Sequence, residues 1–186
     1  TSSGTGNLPT FNAFNISSEP IFAVITVTPL FNEGISCPGT PQDFIITVNP
    51  SGQVNDTLDQ AVCNGDLTTV DFTTDNTDGT TTYAWTSSLD LGSGLSGAGN
   101  ISFIAVNEGL EPLITEITVT PQFANGGAIC LGSSQVFTIS VNGNVDPKPE
   151  ISNYNGFQIS CFGANDGFIN LSPEGATPNE NEPFYQ

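Results

Sequence analysis

One short strand occurs twice in this chain. Ile25-Thr26-Val27-Thr28-Pro29 returns as Ile117-Thr118-Val119-Thr120-Pro121, 92 positions later. Downstream, Phe31, Cys37, Gly39, Gln42, Phe44, Ile46, Val48 and Asn49 match Phe123, Cys130, Gly132, Gln135, Phe137, Ile139, Val141 and Asn142, after one extra residue in the second copy. Upstream, Phe11, Ala13, Asn15 and Pro20 match Phe103, Ala105, Asn107 and Pro112. Solenoid units run roughly 20–50 residues, so a period this long is the size of a whole domain. The repeat divides the chain into residues 1–52, the second half of a domain; 53–146, a complete domain; and 147–186, where the pattern breaks.

Each copy alternates. Ile25 and Val27 fall on one face and Thr26 and Thr28 on the other, the period of a half-buried strand whose wet side keeps β propensity. Pro29 ends that strand, and Phe44, Ile46 and Val48 form the next inward face. Asn49-Pro50-Ser51-Gly52 reads as a turn or linker. In the complete unit, strands are predicted over 58–62, 67–74, 81–87, 101–106, 113–120 and 135–142. Between them lie Asn64-Gly65-Asp66, Asn76-Thr77-Asp78-Gly79 and the glycine-rich stretch 92–99. Short strands separated by such turns, with no helical period, predict an all-β fold of tandem antiparallel β-sandwiches. The predicted core is Phe72, Tyr83, Trp85, Phe103, Ile117, Val119, Phe137 and Ile139. Trp85, the one Trp, is assigned to packing rather than to stacking on sugar.

Composition narrows the function. The chain carries 19 acids against a single Lys, with no Arg and no His. Nucleic-acid affinity comes mostly from cations that replace counterions, so a polyanionic partner is disfavoured, as is an anionic membrane surface. No stretch of ~18 apolar residues is present to span a bilayer. Without His there is no Ser-His-Asp or Cys-His pair and no imidazole metal ligand. No pair of carboxylates is proposed by spacing for glycoside hydrolysis, and 92–99 has no Lys for a phosphate loop. The expectation is therefore a non-enzyme without a cofactor. Asp75, Asp78 and Gly79, or Asn165, Asp166 and Gly167, supply oxygens of the kind Ca²⁺ takes, but the same residues are turn signals.

Four Cys in a Thr-, Asn- and Gly-rich chain without Met suggest an oxidising, extracytoplasmic setting. The chain is read as the interior of a longer secreted protein. A Cys63–Cys130 disulfide would close a long loop and contribute ~3–4 kcal/mol. Cys37, the counterpart of Cys130, would then pair upstream of Thr1. A Cys37–Cys63 bridge is the alternative, and it would leave Cys130 odd. Pro147-Lys148-Pro149 is a stiff spacer. Trypsin cuts poorly before Pro, so the unfolded segment should survive it whole, and tryptic fragments from within 1–186 would refute this.

The tract Gly97-Ala98-Gly99-Asn100-Ile101-Ser102-Phe103, then Asn107, Ile117 to Pro121, Cys130-Leu131-Gly132 and Phe137 to Asn142 resembles the PKD-like domain repeated in Bacteroidetes surface proteins. Residues 4–50, Cys63-Asn64-Gly65 and Tyr83-Ala84-Trp85 fit the same pattern. Residues 159–185 resemble the start of an SprB-type repeat, through Ser160-Cys161-Phe162-Gly163, Asn165-Asp166-Gly167 and Phe184-Tyr185, with Pro183-Phe184 where that repeat has Pro-Tyr. The resemblance implies an extracellular array of Ig-like sandwiches in a giant gliding-motility adhesin, attached at the outer membrane and exported by the type IX secretion system. Implied partners are further repeats of the same chain, the secretion and gliding machinery, and extracellular surfaces or glycans. It also implies that the partner of Cys161 lies beyond residue 186. Asp56-Thr57-Leu58 resembles the acceptor for Bacteroidetes O-glycosylation, on Thr57. The rival expectation is a carbohydrate-binding or spacer module of a secreted polysaccharide-degrading enzyme, which an exposed planar strip of aromatics would favour.

Overall fold

A computed structural model describes residues 3–175 of the chain. The described residues are all-β, with fourteen strands and no helix. In the first copy these are β1 (Ile21–Val27), β2 (Leu30–Asn32), β3 (Ser36–Pro38) and β4 (Gln42–Val48). β1 and β4 pair antiparallel with Ile25 opposite Phe44, and β2 and β3 form a hairpin with Phe31 opposite Cys37. β1 stops before Pro29, which has no N–H to give a ladder.

The second copy contributes β5 (Gln60–Cys63), β6 (Leu67–Val70), β7 (Thr80–Ser87), β8 (Ser96–Ala98), β9 (Ile101–Ile104), β10 (Leu113–Asn125), β11 (Ala128–Leu131) and β12 (Gln135–Asn142). The main sheet runs β5-β12-β10-β7-β8, with β11 also on β10, while β6 and β9 form a separate antiparallel ladder. β5 lies parallel to β12, and β10 and β12 are antiparallel with Ile117 opposite Phe137. That pair is the counterpart of Ile25 and Phe44, so the repeat in sequence is a repeat in ladder register.

The strands depart from the predicted ones at several points: β6 stops at Val70 rather than 74, β9 at Ile104 rather than 106, and β11 falls where no strand was predicted. β10 continues through Pro121 to Asn125 rather than stopping at 120. Its ladder with β12 ends at Val119 and its ladder with β11 begins at Gln122, so the proline falls where no N–H is needed. The glycine-rich stretch 92–99, read as a turn, contains β8, in which Gly97 lies opposite Trp85. A Cβ at 97 would overlap the indole, so glycine lets the backbone pass flat against the ring.

After the second copy, β13 (Pro149–Ile151) and β14 (Ile169–Leu171) pair antiparallel. The Phe184-Tyr185 part of the SprB-type resemblance lies outside the described residues.

Compactness groups these strands into two units that cut across the repeat. One unit gathers Thr1–Asn55, Thr73–Tyr83 and Thr120–Ser134; the other gathers Asp56–Phe72, Ala84–Val119 and Gln135–Gln186. In the first, Phe123 is fully buried and its ring fills the space where a Cβ at Gly79 would stand. In the second, Val70, Trp85, Leu91, Ile101, Phe103, Ile117, Ile139 and Val141 form the core, an arrangement consistent with a β-sandwich. There Phe72, just past β6, meets Phe137 of β12 edge-on at 6.2 Å, joining the small ladder to the main sheet.

The cysteines depart from expectation. All four are free, so neither Cys63–Cys130 nor Cys37–Cys63 is bridged. Cys63 sits opposite Asn142, next to the pair Val141–Leu113 at the start of β10, whereas Cys130 sits opposite Phe123. Ten residues of one strand separate those anchors, and a disulfide needs Cα atoms within about 7 Å. Position in the loop order suggested a clamp; the extension of β10 past Pro121 carries Cys130 away from it.

Candidate functional site

Of the eight predicted core residues, Phe72, Trp85, Phe103, Ile117, Val119, Phe137 and Ile139 are buried, and Tyr83 is half-buried. Burial pushes the Tyr83 phenol above its ordinary pKa, with a hydrogen bond to Thr74 opposing the shift. Trp85 is 7 % exposed, and its indole N–H has no hydrogen-bond partner. A ring held this way has no free face for a sugar.

The two oxygen-rich turns do not converge into metal cages. Among the described residues no three His, Cys, Asp or Glu side chains come together as a metal-holding group. Asp75 accepts a hydrogen bond from the Asn55 carboxamide at 3.2 Å, and Asp78 takes a left-handed φ of 57° at the tip before β7. Asp166 accepts from the Ser160 N–H, and Ser160 holds its carboxyl below the usual carboxylate range. These carboxylates shape turns, the role their Asn/Asp-Gly context announces. Thr57 is half-buried beside an exposed Asp56 whose carboxylate takes a hydrogen bond from Gln135.

A pair of asparagines does work that strand patterning does not reveal. Asn107 is 1 % exposed, and its amide nitrogen donates to the carbonyls of Glu111 and Val141, both at 2.8 Å. Its oxygen accepts from Gly109 N–H. Asn15 repeats the pattern on Glu19 and Val48, both at 2.8 Å, and accepts from Ser17 N–H. Each carboxamide ties the turn before one strand to the end of its antiparallel partner. The signal was present in the repeat: Asn15 and Asn107 persist while most of their neighbours change.

Charge is distributed without a focus. The Gly92 and Gly94 N–H groups, bound to Asp90, hold that carboxyl below its ordinary range. Lys148, the sole basic side chain, lies 3.2 Å from Glu174 and 3.6 Å from Asp146, and Glu174 chiefly raises its pKa above 10.5. Two open depressions of about 550 Å³ each are present. One is lined by Phe157 and residues 159–164; the other by Leu89, Leu91, Val106 and Leu113 together with Asp90, Glu108 and Glu111. Neither brings a nucleophile and a base together.

No protein-family model matches the sequence, and neither a curated protein nor a solved structure matches the chain.

Proposed function

We propose that this chain is a stretch of a large repetitive cell-surface adhesin, an extended filament of Ig-like, PKD-like modules followed by an SprB-type repeat. The observation that carries this reading is the agreement of the two copies in ladder register and in the asparagine clasp. Ile25–Phe44 and Ile117–Phe137 occupy the same ladder position, and Asn15 and Asn107 tie matching turns. Copies that fold to the same register are what a modular stalk requires. The order β5-β12-β10-β7-β8 beside β6–β9 supports an Ig-like sandwich for residues 53–146. Residues 1–52 are then the second half of a preceding module.

The protein acts outside the cell, held at the outer membrane, without catalysis and without a resident cofactor. Dense negative charge supports a filament that repels its neighbours and stays extended. Its partners are further repeats, the type IX secretion and gliding machinery, and the surfaces or glycans on which the cell moves. The assignment to gliding and to that export route rests on the residue resemblance. Burial of Trp85 weighs against the rival carbohydrate-binding module.

Antibody raised against residues 53–146 should label intact cells and reduce their attachment to glass. Labelling only after lysis would reject the surface assignment. Saturable binding of the chain to one glycan on an array, with no effect on attachment, would favour the rival.

A further inference from the structure

The stretch Asn49-Pro50-Ser51-Gly52 carries the composition of a flexible linker, yet two of its four residues are buried, Asn49 is half-buried and Ser51 alone is exposed. Pro50 is under 2 % exposed, and Gly52 is buried as well. What buries it is a hydrogen-bonded seam, all within one compact unit. The Asn76 carboxamide uses both donors and part of its acceptor there, the Thr74 and Thr81 hydroxyls also donating to its oxygen. Its nitrogen donates to Ser18 O at 3.3 Å and Ser51 O at 3.2 Å, and its oxygen accepts from Gln53 N–H at 2.8 Å. The Thr77 N–H joins on Ser18 O at 2.9 Å. On the other side, Asn49 and Asn125 bond reciprocally, the Asn49 Nδ2 donating to the Asn125 backbone carbonyl at 3.0 Å and the Asn125 Nδ2 to Asn49 Oδ1 at 3.1 Å. Gly52 N–H reaches Cys130 O at 3.2 Å; a Cβ on Gly52 would run into the Pro121–Gln122 backbone, and one on Gly132 into the backbone of Gly52.

We propose that this surface, centred on Asn76 and Asn125, is a receptor for the end of the preceding copy, and that it locks the joint between copies instead of leaving a free hinge. The partner it fits is a module presenting the Ser18 and Ser51 carbonyls and an Asn carboxamide at position 49. This deepens the tandem-module reading and rests on it. The chemistry suits a chain of net charge −18. Every group in the seam is neutral, so repulsion between acidic copies does not act on its contacts, and salt does not screen them. Residues 49–53 lose the freedom of a loop, and the Ser51 carbonyl is satisfied by Asn76.

Backbone hydrogen exchange on the full chain tests this. The Gly52, Gln53 and Thr77 amides should exchange as slowly as those of the β10–β11 ladder, at both roughly 0.05 and 1 M NaCl. Asn76→Ala should speed Gln53 and Thr77 at least tenfold while the β10–β12 amides stay unchanged. Asn49→Ala, which cuts the seam from the other side, should do the same at Gly52. Exchange of Gly52 and Gln53 at unprotected rates, with the β1–β4 amides still slow, would overturn the locked joint alone. Fast exchange across β1–β4 as well would remove the tandem-module reading with it.

Discussion

The two copies share a register and differ in burial. Phe137 is 2 % exposed and Phe123 fully buried, whereas their counterparts Phe44 and Phe31 are 57 % and 66 % exposed. The strand sequences are almost the same, so the difference lies in what stands opposite. The second copy has β5 and β7 beside its central pair, and Phe72, just past β6, packs on Phe137. Among the described residues the first copy has no equivalents of these. Pairing register is thus written locally, in alternation and turns, while burial is conferred by a layer elsewhere in the chain.

The largest test of that contrast is a matched truncation. Phe137→Ala should cost about 3–5 kcal/mol, the usual penalty for an aromatic removed from a core. Phe44→Ala should cost less than about 1 kcal/mol, as at an exposed site. Thermal unfolding reads the first, and exchange of the β1–β4 amides reads the second. Equal losses would mean that the first copy is covered as fully as the second.

The asparagine clasps give the next contrast. Asn107→Ala orphans two carbonyls at a fully buried position and should destabilise by about 2–3 kcal/mol. Asn15→Ala makes the same cut where water reaches the freed groups, and about 1 kcal/mol or less is expected there. A denaturant series on both variants decides it. A similar cost at both sites would show that the clasp acts through geometry rather than desolvation.

Much of this was legible in the residues, and the illegible part has physical causes. The alternation of Ile117 and Val119, and of Phe137 and Ile139, announced two strands and their buried faces. Four features did not announce themselves. Pro121 looked like a stop, yet it falls between two ladders. Gly97 looked like a turn residue, yet it is the gap through which β8 passes Trp85. Cys63 and Cys130 looked like a clamp because loop order says nothing of position along a strand. Asn76 looked like part of a turn, and its bonds to Ser18 and Ser51 span a separation in sequence that no local pattern encodes.

The joint after the second copy contrasts with the one before it, and it should respond to pH. Asp146 and Glu174 bridge through their backbones, with Lys148 lying against both carboxylates. The Lys148 pKa is raised in the folded chain. Its contribution is therefore complete below the ordinary lysine value of 10.5 and is lost as pH rises through the higher folded value. The pair is exposed, so the effect on stability is small and salt-sensitive. A ¹³C titration of the Lys148 Cε should give a midpoint above 10.5 at low salt that falls back toward it in 1 M NaCl. A midpoint independent of salt would mean that the carboxylates are not what raises it.

The smallest expected effect belongs to the cysteines, where the absence of a change is the informative result. With Cys63 and Cys130 registered to opposite ends of β10, a reducing agent has no bridge to open. Four thiols should titrate per denatured chain, and the melting temperature should be the same with and without reductant. Had a clamp held the unit, its loss would cost about 2–5 kcal/mol and lower that temperature by several degrees. Cohesion instead comes from core packing and from neutral carboxamides such as Asn107. These need no oxidant. A reductant-sensitive melt, or fewer than four thiols, would return the clamp to the second copy and require β10 to break at Pro121, as β1 does before Pro29.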